Sequence, residues 1–233
     1  MNNTKLDFEK RKDEVENYLI FLGILSDGEN TRLRYKKNES MVEEKIPEQL
    51  QKILIANGFL LLYNLIEATV RNSILEIYFE VKDNSISYEK LSENLKKIWI
   101  KQKTDNLKER NFKQDTLRNQ ILEIAESILR KEIILLSEDK ADFSGNLDAE
   151  EIRELAERFG FDIPKNGRNL VIIKNKRNHL AHGHSTFSEI GKDYTVGELK
   201  RYKDETFAFL SDVIAKIEDF IVQKKYTSSP GTP

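Results

Sequence analysis

At 233 residues and 27.2 kDa the chain can bury one full hydrophobic core, with room for a small appendage. Its 38 Lys and Arg against 40 Asp and Glu leave a net charge of −2, so any basic surface must be local rather than general. The absence of cysteine excludes a disulfide scaffold, a thiolate metal site and a cysteine nucleophile together.

A hydrophobic share of 39% with nearly cancelling charge is that of a folded globular chain, not a disordered one. Ten Gly and four Pro are too few for a turn-rich β-sandwich. Residues 1–7 contain no apolar signal core. The apolar runs Tyr18–Leu25 and Phe59–Ile66 are too short to span a bilayer, so the expected compartment is the cytoplasm, with no membrane partner.

The periodicity is helical almost throughout. A first helix is expected over about 5–25, with Val15, Tyr18, Leu19 and Leu22 on its apolar face. Gly28 falls in the break after it, and the charged stretch Arg32–Lys45 reads as a loop or a loose helix start. Pro47 suits a first helical turn and opens a helix running to about Val81. Its middle is apolar on nearly all sides, the mark of a central helix. Asn64, Glu67 and Arg71 interrupt it on one shared face. These polar groups need partners. Either Asn64 or Glu67 holds an active-site residue, or Glu67 simply pairs with Arg71 one turn on.

A third helix is expected after Ser87, carrying Leu91, Leu95 and Ile98, and a fourth carrying Leu117, Ile121, Ile124 and Ile128. Ile133–Leu136 fits helix or strand, and Phe143–Asp148 reads as a turn. Asp148 with Glu151 forms a capping-box pattern opening a helix that stops at Gly160. Another helix spans about Asn169–His182 with Gly183 as its stop; Phe187–Tyr194 reads as a loop. Thr195 with Glu198 is a further capping box, opening a last helix with Leu199, Tyr202, Leu210, Ile214, Ile217 and Ile221. The expectation is a single domain over 1–226, with about 96–165 as an inserted helical segment and 227–233 as a tail.

The chemistry concentrates near the end of the second-last long helix. All three histidines, His179, His182 and His184, lie within six residues. From Ile163 to Ser188 there is no Asp or Glu, while Lys165, Arg168, Lys174, Lys176 and Arg177 are present. A locally cationic stretch in an acidic chain suits an anionic ligand, with Lys174, Lys176 and Arg168 as candidate RNA contacts; a solvated basic face is the plain alternative. Arg177 and His182 stand five apart, about 140° around an ideal helix axis, so a frayed last turn is needed to bring both heads to one spot. A guanidinium clamps a phosphodiester, and an imidazole moves a proton near neutrality. His179, three residues before His182, reads as a second proton carrier or a packed helix residue. A transition-metal site at the three histidines lacks nearby carboxylates and thiolates, so no metal and no cofactor is expected. The Lys96–Arg118 segment carries eight basic against three acidic residues around Trp99: an RNA-tracking surface, or a solvated linker with Trp99 in the core. The acidic stretch Glu138–Glu157 is expected to face solvent.

The run Arg177-Asn178-His179-Leu180-Ala181-His182 resembles the Arg-x4-6-His signature of the HEPN superfamily of helical ribonucleases, including the polar residue after the arginine. The helix segment Leu62–Thr69, the turn Phe143–Asp148, the run Arg177–Gly183, and Phe187 and Glu198 after it look like the MAE-type branch, over about residues 10–222. The resemblance implies an all-α helical bundle and a homodimer whose two Arg/His motifs face each other. It implies metal-independent cleavage of RNA to a 2′,3′-cyclic phosphate and a 5′-hydroxyl. Carried over, Arg177 and His182 are catalytic and Asn178 positions them; Glu67, Asn64 and His179 stand as candidate supports on the residue reading alone, His179 being no signature residue. A toxin or antiviral defence role is implied, with an antitoxin or partner defence protein. In HEPN toxins paired with nucleotidyltransferase antitoxins a tyrosine stands two residues after the histidine; here that position is His184. A non-catalytic RNA-binding or dimerisation module of the same family is the alternative.

Overall fold

A computed structural model describes residues 1–27, 31–105, 114–139 and 146–228. Among them are eight α-helices and one two-stranded sheet: α1 (Asn2–Ser26), β1 (Arg32–Lys37), β2 (Ser40–Lys45), α2 (Glu48–Asp83), α3 (Glu93–Thr104), α4 (Gln114–Leu129), α5 (Ala149–Phe159), α6 (Leu170–Ala181), α7 (Phe187–Gly191) and α8 (Val196–Val222). The fold is all-α. Gly28, and residues 143–145 of the expected turn, lie outside the described residues.

Helix α2 is the axis of the molecule. Pro47 precedes it with an extended ψ of 132°, and its apolar residues Phe59, Leu62, Leu65, Ile66, Ile74 and Ile77 are all but sealed from water. By length and composition this helix meets the criteria for a membrane span, yet most of that apolar window is covered by the other helices. Helices α1, α6, α7 and α8 all pack against it. Contacts between α1 and α2 run in opposite order along the two helices, from Thr4 with Glu76 to Arg11 with Asn64 and Tyr18 with the Leu54 carbonyl. Helix α1 is therefore antiparallel to α2. Helix α8 runs parallel to α2: its start meets Gly58 through Leu199, and near its end Glu218 binds Lys5, beside the Thr4 that bonds Glu76.

Helices α3 and α5 reach the C-terminal half of α2 at Tyr78. Tyr78 stacks on Phe159 with ring centroids 6.0 Å apart, and the Gln102 amide donates to the Tyr78 hydroxyl at 3.2 Å. Trp99 is buried beside Tyr88, so the core reading of this indole holds and it presents no face for base stacking. Ile133 makes a single bridge to Ser87, so the Ile133–Leu136 run is neither helix nor extended strand.

Two local expectations are overturned. The Arg32–Lys45 stretch is an antiparallel β-hairpin, paired from Arg32↔Lys45 to Lys37↔Ser40. Asn38 and Glu39 at its tip both have positive φ (46° and 67°), the turn handedness that matches strand twist. The expected loop over Phe187–Tyr194 contains α7, opened by a full capping box between Thr186 and Glu189. Gly191 ends this helix against α2: a Cβ there would lie 1.8 Å from the Lys52 carbonyl oxygen, so backbone meets backbone and only glycine fits.

Candidate active site

Arg177 and Asn178 sit on the last turn and a half of α6, where it crosses the middle of α2. The Arg177 guanidinium lies over the ring of Tyr63, 4.3 Å from its centroid, and 3.7 Å from the Glu67 carboxylate. It also donates to the Asn178 side-chain oxygen at 2.9 Å. The ring face and the carboxylate both attract the cation and hold its long stem in one orientation. Glu67 thus faces Arg177. Asn64 does not join this group; it accepts from Arg11 at 2.6 Å on the α1 side.

Three consecutive residues strap this arrangement down. Asn146 accepts from the Asn178 amide at 2.7 Å; the Leu147 backbone N–H donates to the Tyr63 hydroxyl at 3.1 Å; Asp148 receives the Lys174 ammonium. Asp148 also caps α5, accepting from the N–H groups of Glu150 and Glu151 at 3.0 and 3.1 Å. Burial pushes the Asp148 carboxyl up, but the Lys174 ammonium and the two N–H donors outweigh it and hold it below its ordinary value. Burial is also the largest influence on Tyr63 and raises its hydroxyl, which remains a neutral phenol around pH 7.

These contacts correct two readings of the local charge. Asp148 does not face solvent as expected of its acidic stretch; it is buried. Lys174 is turned inward to meet it, so its charge is matched inside the fold. The acid-free stretch from Ile163 to Ser188 is supplied with carboxylates from elsewhere: Glu67 for Arg177, Asp148 for Lys174, and Glu205 at the N-terminus of α6, where it accepts from the Asn169 N–H at 2.8 Å. Lys176 lies over the Tyr194 ring at 5.3 Å, and Arg168 is exposed ahead of α6. Arg168 precedes the first turn of α6, whereas Arg177 lies near its other end.

The end of α6 is not frayed. His182 donates its N–H to the Asn178 carbonyl at 3.0 Å, continuing the helical pattern. Gly183 follows with φ 68°; its N–H reaches Leu180 O at 3.3 Å, and His184 N–H reaches His179 O at 2.9 Å. That pair of bonds is the Schellman closure, for which glycine is the natural residue. With the turn intact, Arg177 and His182 leave the helix on different sides. The arginine lies against α2, whereas His182 is exposed. His179 is exposed too, which removes the packed-residue reading. The His184 ring is 6.1 Å from that of His179 and 5.9 Å from that of His182. Among the described residues no group of three or more His, Cys, Asp and Glu side chains is placed to hold a metal ion.

Sequence reasoning named Arg177, Asn178 and Glu67 but gave no role to Tyr63 or Asn146. Their partners lie far away along the chain, and only the fold brings them in.

The profile of the HEPN_MAE_28990-like HEPN family matches residues 2–226. No curated protein and no solved structure is significantly similar to the chain. The match runs from the first residue of α1 to beyond the end of α8 and includes the whole of the Arg177–His182 run, and the chain therefore belongs to this branch of the HEPN superfamily.

Proposed function

We propose that the chain is a metal-independent endoribonuclease working as a homodimer. The observation that carries this reading is the pairing, on one helix end, of a braced guanidinium with an exposed imidazole: Arg177 is held by Tyr63, Glu67 and Asn178, and His182 stands at the mouth of the helix. Membership of a family generally associated with ribonuclease activity agrees with it.

In the proposed reaction the ribose 2′-oxygen attacks the adjacent phosphorus while the bond to the 5′-oxygen breaks. One imidazole takes the 2′-hydroxyl proton and another delivers a proton to the leaving 5′-oxygen. The products are a 2′,3′-cyclic phosphate and a 5′-hydroxyl. Arg177 neutralises charge growing on the non-bridging oxygens. The divergence of Arg177 and His182 within one chain supports a composite site, because a two-fold axis near the end of α6 supplies two imidazoles and two guanidinium groups from one gene. Asn178 orients Arg177 through its side-chain oxygen, with Glu67 as a second brace and His179 beside the proton carriers. Lys176 and Arg168 are the flanking RNA contacts; Lys174, paired with Asp148 inside the fold, braces the strap instead. A toxin or antiviral effector restrained by a partner protein is the biological setting proposed, in the cytoplasm.

The test is substitution with an assembly check. His182→Ala and Arg177→Ala should each lower RNA cleavage by about 10²–10⁴-fold while leaving the helical circular-dichroism spectrum unchanged. The parent should sediment as about twice 27.2 kDa. Equal cleavage by parent and both variants would remove the enzyme reading and leave the non-catalytic RNA-binding module in its place.

A further inference from the structure

The β-hairpin has no role in the core or in the site described above. All six residues of β1 are exposed, and of β2 only Val42 is even half-covered. A two-stranded hairpin standing alone is marginal in water, so one whose two faces both meet solvent is maintained by its turn, its cross-strand pairs and whatever it binds.

Its register sorts the side chains. Because strand side chains alternate, Arg32, Arg34 and Lys36 share one face, and their cross-strand partners on that face are Lys45, Glu43 and Met41. The other face carries Leu33, Tyr35 and Val42, with the Tyr35 hydroxyl donating to Glu44 at 3.0 Å. The first face therefore presents four cations against the single carboxylate of Glu43, which lies 3.8 Å from Arg34. Both members of that pair are about two-thirds exposed, so it screens little of the charge. This concentration of positive charge sits in a chain whose net charge is −2. Along β1 the cations recur about every 6.7 Å, a row rather than a cluster. A row of long, water-exposed cations on a projecting ribbon is complementary to a polyphosphate strand, not to a compact anion.

We infer that the cationic face of the hairpin, Arg32, Arg34, Lys36 and Lys45, is a sequence-independent docking surface for the RNA backbone, separate from the Arg177–His182 site. It rests on the ribonuclease reading only in taking RNA as the ligand. The hairpin holds long RNA, and the α6 end cuts it.

The test uses a fluorescein-labelled oligouridine and the His182→Ala protein, so that binding is read without cleavage. In that background R32Q/R34Q/K36Q should weaken binding about tenfold or more at low salt. It should also make log K against log salt shallower by roughly two, at about 0.7 per lost phosphate contact on a single strand. K36R/K45R, which keeps the charges, should bind like its parent. With His182 restored, R32Q/R34Q/K36Q should cleave a dinucleotide as fast as the parent and long RNA more slowly. Unchanged affinity and salt slope would overturn the inference, while cleavage by the parent would leave the enzyme reading standing. Loss of the dimer in R32Q/R34Q/K36Q by sedimentation would assign the hairpin to protein–protein contact and overturn it as well. A parent that cleaves nothing, with a hairpin that still binds RNA in this charge-dependent way, would sink the enzyme reading alone.

Discussion

Asp148→Asn isolates one interaction at the strap behind the site. The Asp148–Lys174 pair is largely out of water, with side-chain exposures of 7% and 19%. Breaking a buried pair by neutralising one partner typically costs about 3–5 kcal/mol, because the other charge is left stranded. Lys174 keeps some access to water, which places the expected loss at the low end, about 3 kcal/mol. Asparagine is as good an N-cap as aspartate, so the bonds to the Glu150 and Glu151 N–H groups survive. Asp148→Ala removes the cap too and should cost about 1 kcal/mol more. Lys174→Met should cost less than either, since the remaining carboxylate still accepts two backbone N–H bonds. Urea unfolding at neutral pH measures all three, as a midpoint shift at constant slope. The pH dependence has a definite sign. A carboxyl held below its ordinary value contributes stability that is complete above the unfolded value of about 3.9 and is lost as pH falls through the lower folded value. The gap between parent and Asp148→Asn should therefore close only below about pH 4. A cost under about 1 kcal/mol for Asp148→Asn, or equal costs for Asn and Ala, would refute this account of the strap.

Tyr63→Phe keeps the ring under Arg177 but strands the buried Leu147 N–H; a loss of about 1–3 kcal/mol is expected in thermal melts. Tyr63→Leu should be worse, because the cation loses the ring face as well. Gly191→Ala forces a methyl group into the Lys52 carbonyl and should destabilise by about 1–3 kcal/mol or more, read by urea unfolding. His184→Ala, at an exposed position beyond the Gly183 turn, should stay within about 0.5 kcal/mol of the parent in stability and cleave RNA at a similar rate.

The long helices were legible because their signals are local and repeated. Thr195 and Glu198 mark the start of α8, and Asp148 and Gly160 bracket α5, as their sequence patterns indicate. The hairpin was hidden by its charge: Leu33 and Tyr35 alternate as a strand should, but between cations, and Glu39 stands where a glycine would have announced the turn. Helix α7 is only five residues long, too short for a periodic signal, although Thr186 and Glu189 carry the capping box that marks it. At the site, Arg177, Asn178 and His182 could be read from one short run, and Glu67 from being a charge in an apolar helix. Tyr63, Asn146 and the inward turn of Lys174 could not, since each depends on a partner between 26 and 114 residues away. The straight end of α6 follows from Gly183 taking the left-handed turn that closes the helix, where sequence spacing alone had suggested fraying.

The central claim is that this chain cuts RNA through its own arginine and histidine. Its most direct test is incubation of purified protein with total cellular RNA in excess EDTA, followed by end-group analysis of the fragments. The account predicts undiminished cleavage leaving 2′,3′-cyclic phosphate and 5′-hydroxyl ends, absent with His182→Ala. Cleavage that stops in EDTA and returns with Zn²⁺ or Mn²⁺, or that leaves 5′-phosphate ends, would contradict it.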